Sequence, residues 1–464
     1  MFELPERRRT IGFLLGHLLC LTAICVASRA TASAFAIIEN SASGQGMAFA
    51  GGGAIAQDAS AAWFNPAGIV RLDDQFQISG SYIMPALKYR DRGSMLETPL
   101  GNLALLPDSE HQDHGAKDAL VPNVYLVKRL NDRFSLGLAI NAPFGLVTQY
   151  DDNWIGRYQA VESEVKTINV NPSVAWKIDR HWSIAAGVSV DYMDVKLTNA
   201  LDFATICASE ILAVCPNGAL PGQGGFDGFV SNTGNDVSFG ANLGLLWSPG
   251  DMRVSLTWRS EIEHHLKGDA VFSLPSTLGG LEALPDPLGS ELAAIFTNSN
   301  IKANVTLPDS AAFAIYYQLT PRLGIASDVV WTDWADIQAI QIEFDNPLTP
   351  TGIEELGFKS VWRYALGVQF ELDDHWTLRT GTAYDESPTP NDRLRSARLP
   401  DTDRTWLSVG ASYQLNEDYS IDFGYSHLFV KDTNINRLGE TNDRLLGEFA
   451  ASVDILSLQL NGRF

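Results

Sequence analysis

The chain has 464 residues, 45% of them hydrophobic, and a formal net charge of −22, a balance that argues against nucleic acid, which needs a basic surface. After the N-terminal segment no apolar run reaches the about 18–20 residues of a membrane helix. Backbone groups in lipid must be paired within the protein, so a membrane reading has to be a closed β-barrel.

Residues 1–34 read as a signal peptide. Arg7, Arg8 and Arg9 form a basic start, Ile11 to Val26 an apolar stretch, and Ala32, Ser33 and Ala34 a small-residue cleavage site. Cleavage is expected near Ala34. Cys20 and Cys25 leave with this segment. Cys207 and Cys215 remain, and two cysteines a short loop apart in an exported protein favour a disulfide. No histidine lies near them, and no metal or cofactor is expected.

Residues 35–74 do not alternate. Gly51, Gly52 and Gly53, then Ala59 to Ala62, make the segment rich in small side chains, yet Ile37, Ile38, Phe49, Trp63 and Phe64 are too apolar for a solvated tether. The segment reads as a hatch packed inside a barrel, with close approach allowed by small residues.

From 75 to 464 the chain falls into alternating strands. Six short, turn-rich connections (130–133, 178–181, 248–251, 320–322, 373–375, 416–418) alternate with seven long ones (91–117, 143–163, 199–233, 269–300, 346–358, 389–403, 431–446). That pattern gives about 14 strands, with short turns on one side and long loops on the other, as in an outer-membrane barrel. Trp182, Trp376 and Tyr419 each open a rising strand, where an interfacial aromatic girdle belongs. The last strand is the clearest. Leu456, Leu458 and Leu460 alternate with Ser457, Gln459 and Asn461 up to a terminal Phe464. The fold class is therefore all-β: a transmembrane antiparallel barrel with an N-terminal hatch in its lumen.

An amphipathic ligand needs apolar walls and one polar anchor. Loop 269–300 carries Phe272, Leu274, Leu278, Leu292 and Phe296, a density that points either to capture of a hydrophobic compound or to a helical hairpin burying its own side chains. Arg157, Arg363 and Arg379 are candidate carboxylate anchors; the alternative is that each pairs with an interior Asp or Glu. Asn141, Ala142 and Pro143 are candidates for a strand kink, since proline cannot continue a central ladder; the alternative is a simple strand end. His111 and His114 lie in an acidic loop, and no catalytic constellation or nucleotide motif is visible, so an enzyme is not expected.

Several stretches resemble the FadL/TodX type of outer-membrane transporter for long-chain fatty acids and other hydrophobic compounds. Ser43-x-x-Gly46, Gly51 to Ala54 and Asn65-Pro66-Ala67 look like its hatch. Ala142 to Leu146 looks like the motif after its third strand. Tyr384 to Pro388 and Leu399 to Ser408 are similar to its most distinctive segment. The resemblance implies a Gram-negative outer-membrane location, fourteen strands, passive ligand-gated uptake, and release through a kinked third strand with movement of the hatch. The expected partners are a hydrophobic ligand, membrane lipid and lipopolysaccharide, and the outer-membrane assembly machinery through Phe464, with the chain a monomer. Two other functions stand beside fatty acid uptake: uptake of aromatic or alkane hydrocarbons, and a surface adhesin or phage receptor.

Overall fold

The structure, a computed structural model, describes residues 34–98, 101–105, 114–211, 215–216 and 218–464. The expected signal segment lies outside the described residues apart from Ala34. Among the described residues no helix is long and apolar enough to cross a membrane.

Fourteen antiparallel strands close on themselves. The first five are β1 (Gln75–Asp91), β2 (Ala119–Arg129), β3 (Phe134–Asn141, resuming at Gly145–Gln149), β4 (Glu162–Lys177) and β5 (Trp182–Asp202). β6 (Asp227–Trp247) is followed by four interrupted strands. These are β7 (Met252–Arg259, Ile262–Ser273), β8 (Ser299–Leu307, Ser310–Thr320), β9 (Leu323–Thr332, Ala339–Phe344) and β10 (Gly352–Glu355, Val361–Glu371). β11 (Trp376–Asp385), β12 (Arg404–Gln414), β13 (Tyr419–Val430, Thr433–Leu438) and β14 (Asp443–Arg463) complete the wall. β14 pairs back onto β1, from Gln75 opposite Arg463 to Asp91 opposite Gly447.

Period-two alternation sorts the side chains. On β14, Leu456, Leu458 and Leu460 are exposed where lipid lies, and Ser457 and Gln459 are buried within. Trp182, Trp376 and Tyr419 stand exposed beside the short turns. All six short turns fall where their turn-forming residues stand. The long connections are shorter than their polarity indicates. β5, β6 and β14 run about twenty residues, and Gly145–Gln149, Gly352–Glu355 and Thr433–Leu438 are strands inside expected loops. Strands that rise past the membrane lose their lipid-facing apolar residues, so the alternation fades while the ladder continues.

Residues 34–74 pack within the barrel as short turns: α1 (Ala42–Gln45), α2 (Gly52–Ile55), α3 (Ala61–Phe64) and a 3-10 turn (Pro66–Arg71). Gly51 precedes α2 at φ +73°, a conformation open to glycine. The wall yields room as well: a Cβ at Gly381 would lie 2.2 Å from the Met47 backbone. Asn65 caps the 3-10 turn by accepting from the Ala67 amide at 3.0 Å, and Pro66 occupies its first position. The Asn65 amide donates to Gly53 O (2.9 Å) and to Leu245 O of β6 (3.2 Å), tying the segment to itself and to the wall.

Candidate ligand path and wall interruption

β3 breaks over 142–144. β4 pairs with both halves, but β2 pairs with β3 only as far as Ile140. Pro143 has no N–H to offer, and the chain turns out of the ladder there. The N-terminal segment supplies the missing neighbour. Ile37 N donates to Pro143 O at 2.8 Å, and Gly145 N donates to Phe35 O at 2.9 Å, around an Ala36–Phe144 bridge. The Asn141 amide holds the next turn by donating to Asn40 Oδ1 at 2.8 Å. Backbone that a hydrocarbon layer cannot satisfy is thus paired within the chain.

Four rings close over this junction. Phe35 lies 5.9 Å from Phe144 and 4.8 Å from Trp334; Trp334 lies 6.0 Å from Phe144 and 6.1 Å from Phe358. Trp334 is fully buried and comes from a 3-10 turn (Trp334–Asp336) that fills the break in β9. The rings separate two cavities. The outer one, about 90 Å³, has Phe35 in its floor and walls such as Leu146, Val195, Leu266, Ile301 and Ile342. The inner one, about 210 Å³, lies between Ile37, Phe144 and the turns that carry Phe49 and Trp63.

The three candidate anchors are all in ion pairs. Arg157 pairs with Asp227 (2.9 Å), Arg363 with Asp385 (3.0 Å) and Asp328 (3.5 Å), and Arg379 with Asp422 (3.1 Å). Arg363 also donates to Ala48 O at 2.6 Å and lines the inner cavity; neither Arg157 nor Arg379 lines either cavity. Burial pushes the Asp227 carboxyl above the usual range, and Arg157 beside it opposes that rise. Arg398, absent from the candidates, lines the outer cavity with its donors spent on Thr198 O (3.1 Å), Ser163 Oγ (3.2 Å) and Asn199 Oδ1 (3.0 Å).

The loop candidates divide. Leu292 is buried on a short helix, α4 (Leu288–Ile295), against Phe203 and Phe226 of the preceding loop. Phe296 packs 4.9 Å from Phe203 and 5.7 Å from Phe272, which stands on β7. Leu274 and Leu278 remain 39% and 42% exposed, the surface such a loop offers to solvent. Cys207 and Cys215 form a disulfide with Cα atoms 5.8 Å apart beside this cluster.

A closed barrel with a lipid-facing apolar belt, a filled polar lumen and internal apolar cavities defines an outer-membrane transport protein. The chain belongs to the family described as outer membrane protein transport protein (OMPP1/FadL/TodX), whose model matches residues 23–464. A long-chain fatty acid transport protein of Escherichia coli O6:H1 is 31% identical over 415 residues, covering 88% of this chain and 90% of its own. Outer membrane protein P1 of Haemophilus influenzae is 29% identical and covers 92% of each chain. Among solved structures, a Pseudomonas aeruginosa FadL homologue superposes with a TM-score of 0.82 at 25% identity, over 93% of this chain and all of its own. The Pseudomonas putida toluene transporter TodX superposes at 0.67 with 14% identity, over 93% of this chain and 100% of that one, a likeness of fold.

Proposed function

We propose that this protein takes up long-chain fatty acids across the outer membrane by passive, ligand-gated diffusion. The observation that carries the reading is the pair of cavities divided by the Phe35 segment, the inner one reaching Pro143 and Phe144 at the interruption of β3. Residues 35–74, with Gly51, Gly52, Gly53 and Asn65, Pro66, Ala67, act as the hatch. Ligand enters from the outer loops, where Leu274 and Leu278 offer apolar surface, and rests in the outer cavity. It passes inward when Phe35 and Ile37 leave β3, and departs sideways at Asn141, Ala142 and Pro143. The protein works as a monomer embedded in lipid and lipopolysaccharide, reaches the membrane through assembly machinery that reads Phe464, and carries out no chemistry on its ligand.

The relatives named for fatty acid transport support this substrate. One observation favours hydrocarbons instead: the outer cavity is almost wholly apolar and its Arg398 is already fully bonded. Uptake of labelled oleate and labelled toluene by cells with this chain as their one such transporter separates the two. Faster oleate entry supports fatty acids, faster toluene entry alone supports hydrocarbons, and no gain in either returns the protein to a receptor or adhesin role.

A further inference from the structure

Among the described residues, the inner cavity holds a cation that no carboxylate pairs with. Two arginines line it. Arg363 is paired with Asp385 and Asp328. The third carboxylate in the lining, Glu386, accepts from the Trp362 amide at 3.0 Å. Arg259, on the inward face of β7 with Arg253, Ser255 and Thr257, has no carboxylate partner among the described residues. Its guanidinium lies 3.4 Å over the Trp63 ring and donates from Nη2 to Trp63 O. A ring on one face and a carbonyl on one nitrogen hold the group in place and leave most of its five N–H donors unused. Lys267, which lines the outer cavity, also has no carboxylate partner among the described residues, but it is exposed on an outward position opposite Lys302.

A buried guanidinium is costly without a counter-charge. A fixed planar fork in an apolar chamber is also a receptor for a planar anion. We propose that Arg259 is a carboxylate-binding site of the inner cavity, which takes the head group of an amphipathic ligand after it passes Phe35, with the alkyl chain against Ile37, Phe49 and Phe144. This deepens the fatty acid reading and rests on it. It also gives a path through a protein of net charge −22 one station where an anion is favoured.

The test compares oleate with oleyl alcohol, which has the same chain and no charge. Uptake of both is measured in cells carrying the wild type, Arg259→Gln or Arg259→Lys. Arg259→Gln is expected to slow oleate on the order of tenfold and leave the alcohol unchanged, with Arg259→Lys between, since lysine keeps the charge and loses the fork. Equal slowing of both ligands would mean that Arg259 only holds Trp63 in place, and overturns the site; unchanged oleate uptake overturns it too. Purified protein gives an independent arm. The carboxyl signal of ¹³C-labelled oleate should lose a bound component in Arg259→Gln, and an unaltered signal rejects the site whatever uptake does. Wild-type cells that admit the alcohol but not oleate would sink the fatty acid reading and the site together, whereas loss confined to Arg259→Gln leaves that reading intact.

Discussion

Phe35 and Gly145 are joined backbone to backbone: the Gly145 amide donates to the Phe35 carbonyl at 2.9 Å, on the edge of β3 that β2 has left. The bond is one of two that let the start of the chain stand in for a missing strand. A ladder of two bonds is weak beside the seventeen-residue register of β1 and β14, so it is expected to open before the seam does.

That relation predicts a lock. Ala36 and Phe144 form the bridge flanked by these two bonds, a non-hydrogen-bonded antiparallel pair, whose Cα atoms stand about 4.5 Å apart. This suits a disulfide. In a background with Cys207 and Cys215 replaced by serine, Ala36→Cys with Phe144→Cys should hold uptake at the level of cells lacking the protein until a reductant is added. Undiminished uptake in the oxidised protein would show that ligand leaves elsewhere.

Trp334 predicts a leak. Its ring is fully buried and touches Phe35, Phe144 and Phe358 from the far side of the lumen. Trp334→Ala should cost about 3–5 kcal/mol of barrel stability and merge the two cavities. Amides of Phe35 to Ile38 should then exchange with solvent faster than in the wild type, measured by hydrogen exchange on the purified protein. Unchanged protection would mean that the ring fills space without restraining the segment.

Asn65 predicts a separation of assembly from transport. Its side chain makes three bonds, to Ala67 N, Gly53 O and Leu245 O. Asn65→Ala removes the acceptor of the Ala67 amide and the donor to Gly53 O and Leu245 O, at a cost of about 1–3 kcal/mol. The barrel should still form, seen as the usual heat-dependent gel mobility, while uptake changes. Normal uptake would remove the tripeptide from the gating machinery.

Asp401 predicts a pH dependence. It lies in the loop before β12 and accepts from Ala34 N at 3.2 Å. Burial pushes its carboxyl up from 3.8 to about 7, with Arg404, Ser387 and the Ala34 amide opposing the rise. The sign follows: this group's contribution to folding is most favourable below pH 3.8 and is lost as the pH climbs to about 7 and the buried charge forms. Stability of the purified barrel should therefore fall as the pH rises from about 4 to 7, and Asp401→Asn should flatten that part of the profile, read as the denaturation midpoint against pH. A wild-type profile as flat as the variant's would rule out the carboxylate.

The barrel was legible because its signals are local. Turn formers at six places and alternation in between define the strands, and the aromatic residues beside the short turns mark one rim. The packing of residues 34–74 showed as small residues with too many large apolar ones among them; at Pro143 the sequence left a kink and a plain strand end both open, and the chain there breaks over 142–144 and resumes at Gly145. Charge partners were not legible. Arg157, Arg363 and Arg379 meet Asp227, Asp385 and Asp422 only through the register of strands and loops, tens of residues away except at β10 and β11. Arg259 sits in an ordinary Thr-Trp-Arg-Ser run. Its one signal is position, inward on the alternation of β7, and its lack of a carboxylate partner emerges only when the neighbouring strands are in place. Trp334 gave no sign either, since a break in β9 turns an outer-rim residue into the lumen.

Ser457 carries a consequence for how the molecule is put together. Its hydroxyl lies 2.6 Å from Ser81 Oγ of β1, across the seam that shuts the cylinder, and it also bonds the side chain of Gln45. Gln459, two residues on, accepts from the Ala42 amide at 2.8 Å. Ser457 thus belongs at once to the seam that closes the cylinder and to the grip on residues 42–45. A change at that one hydroxyl is therefore expected to loosen the closing seam and the N-terminal segment together.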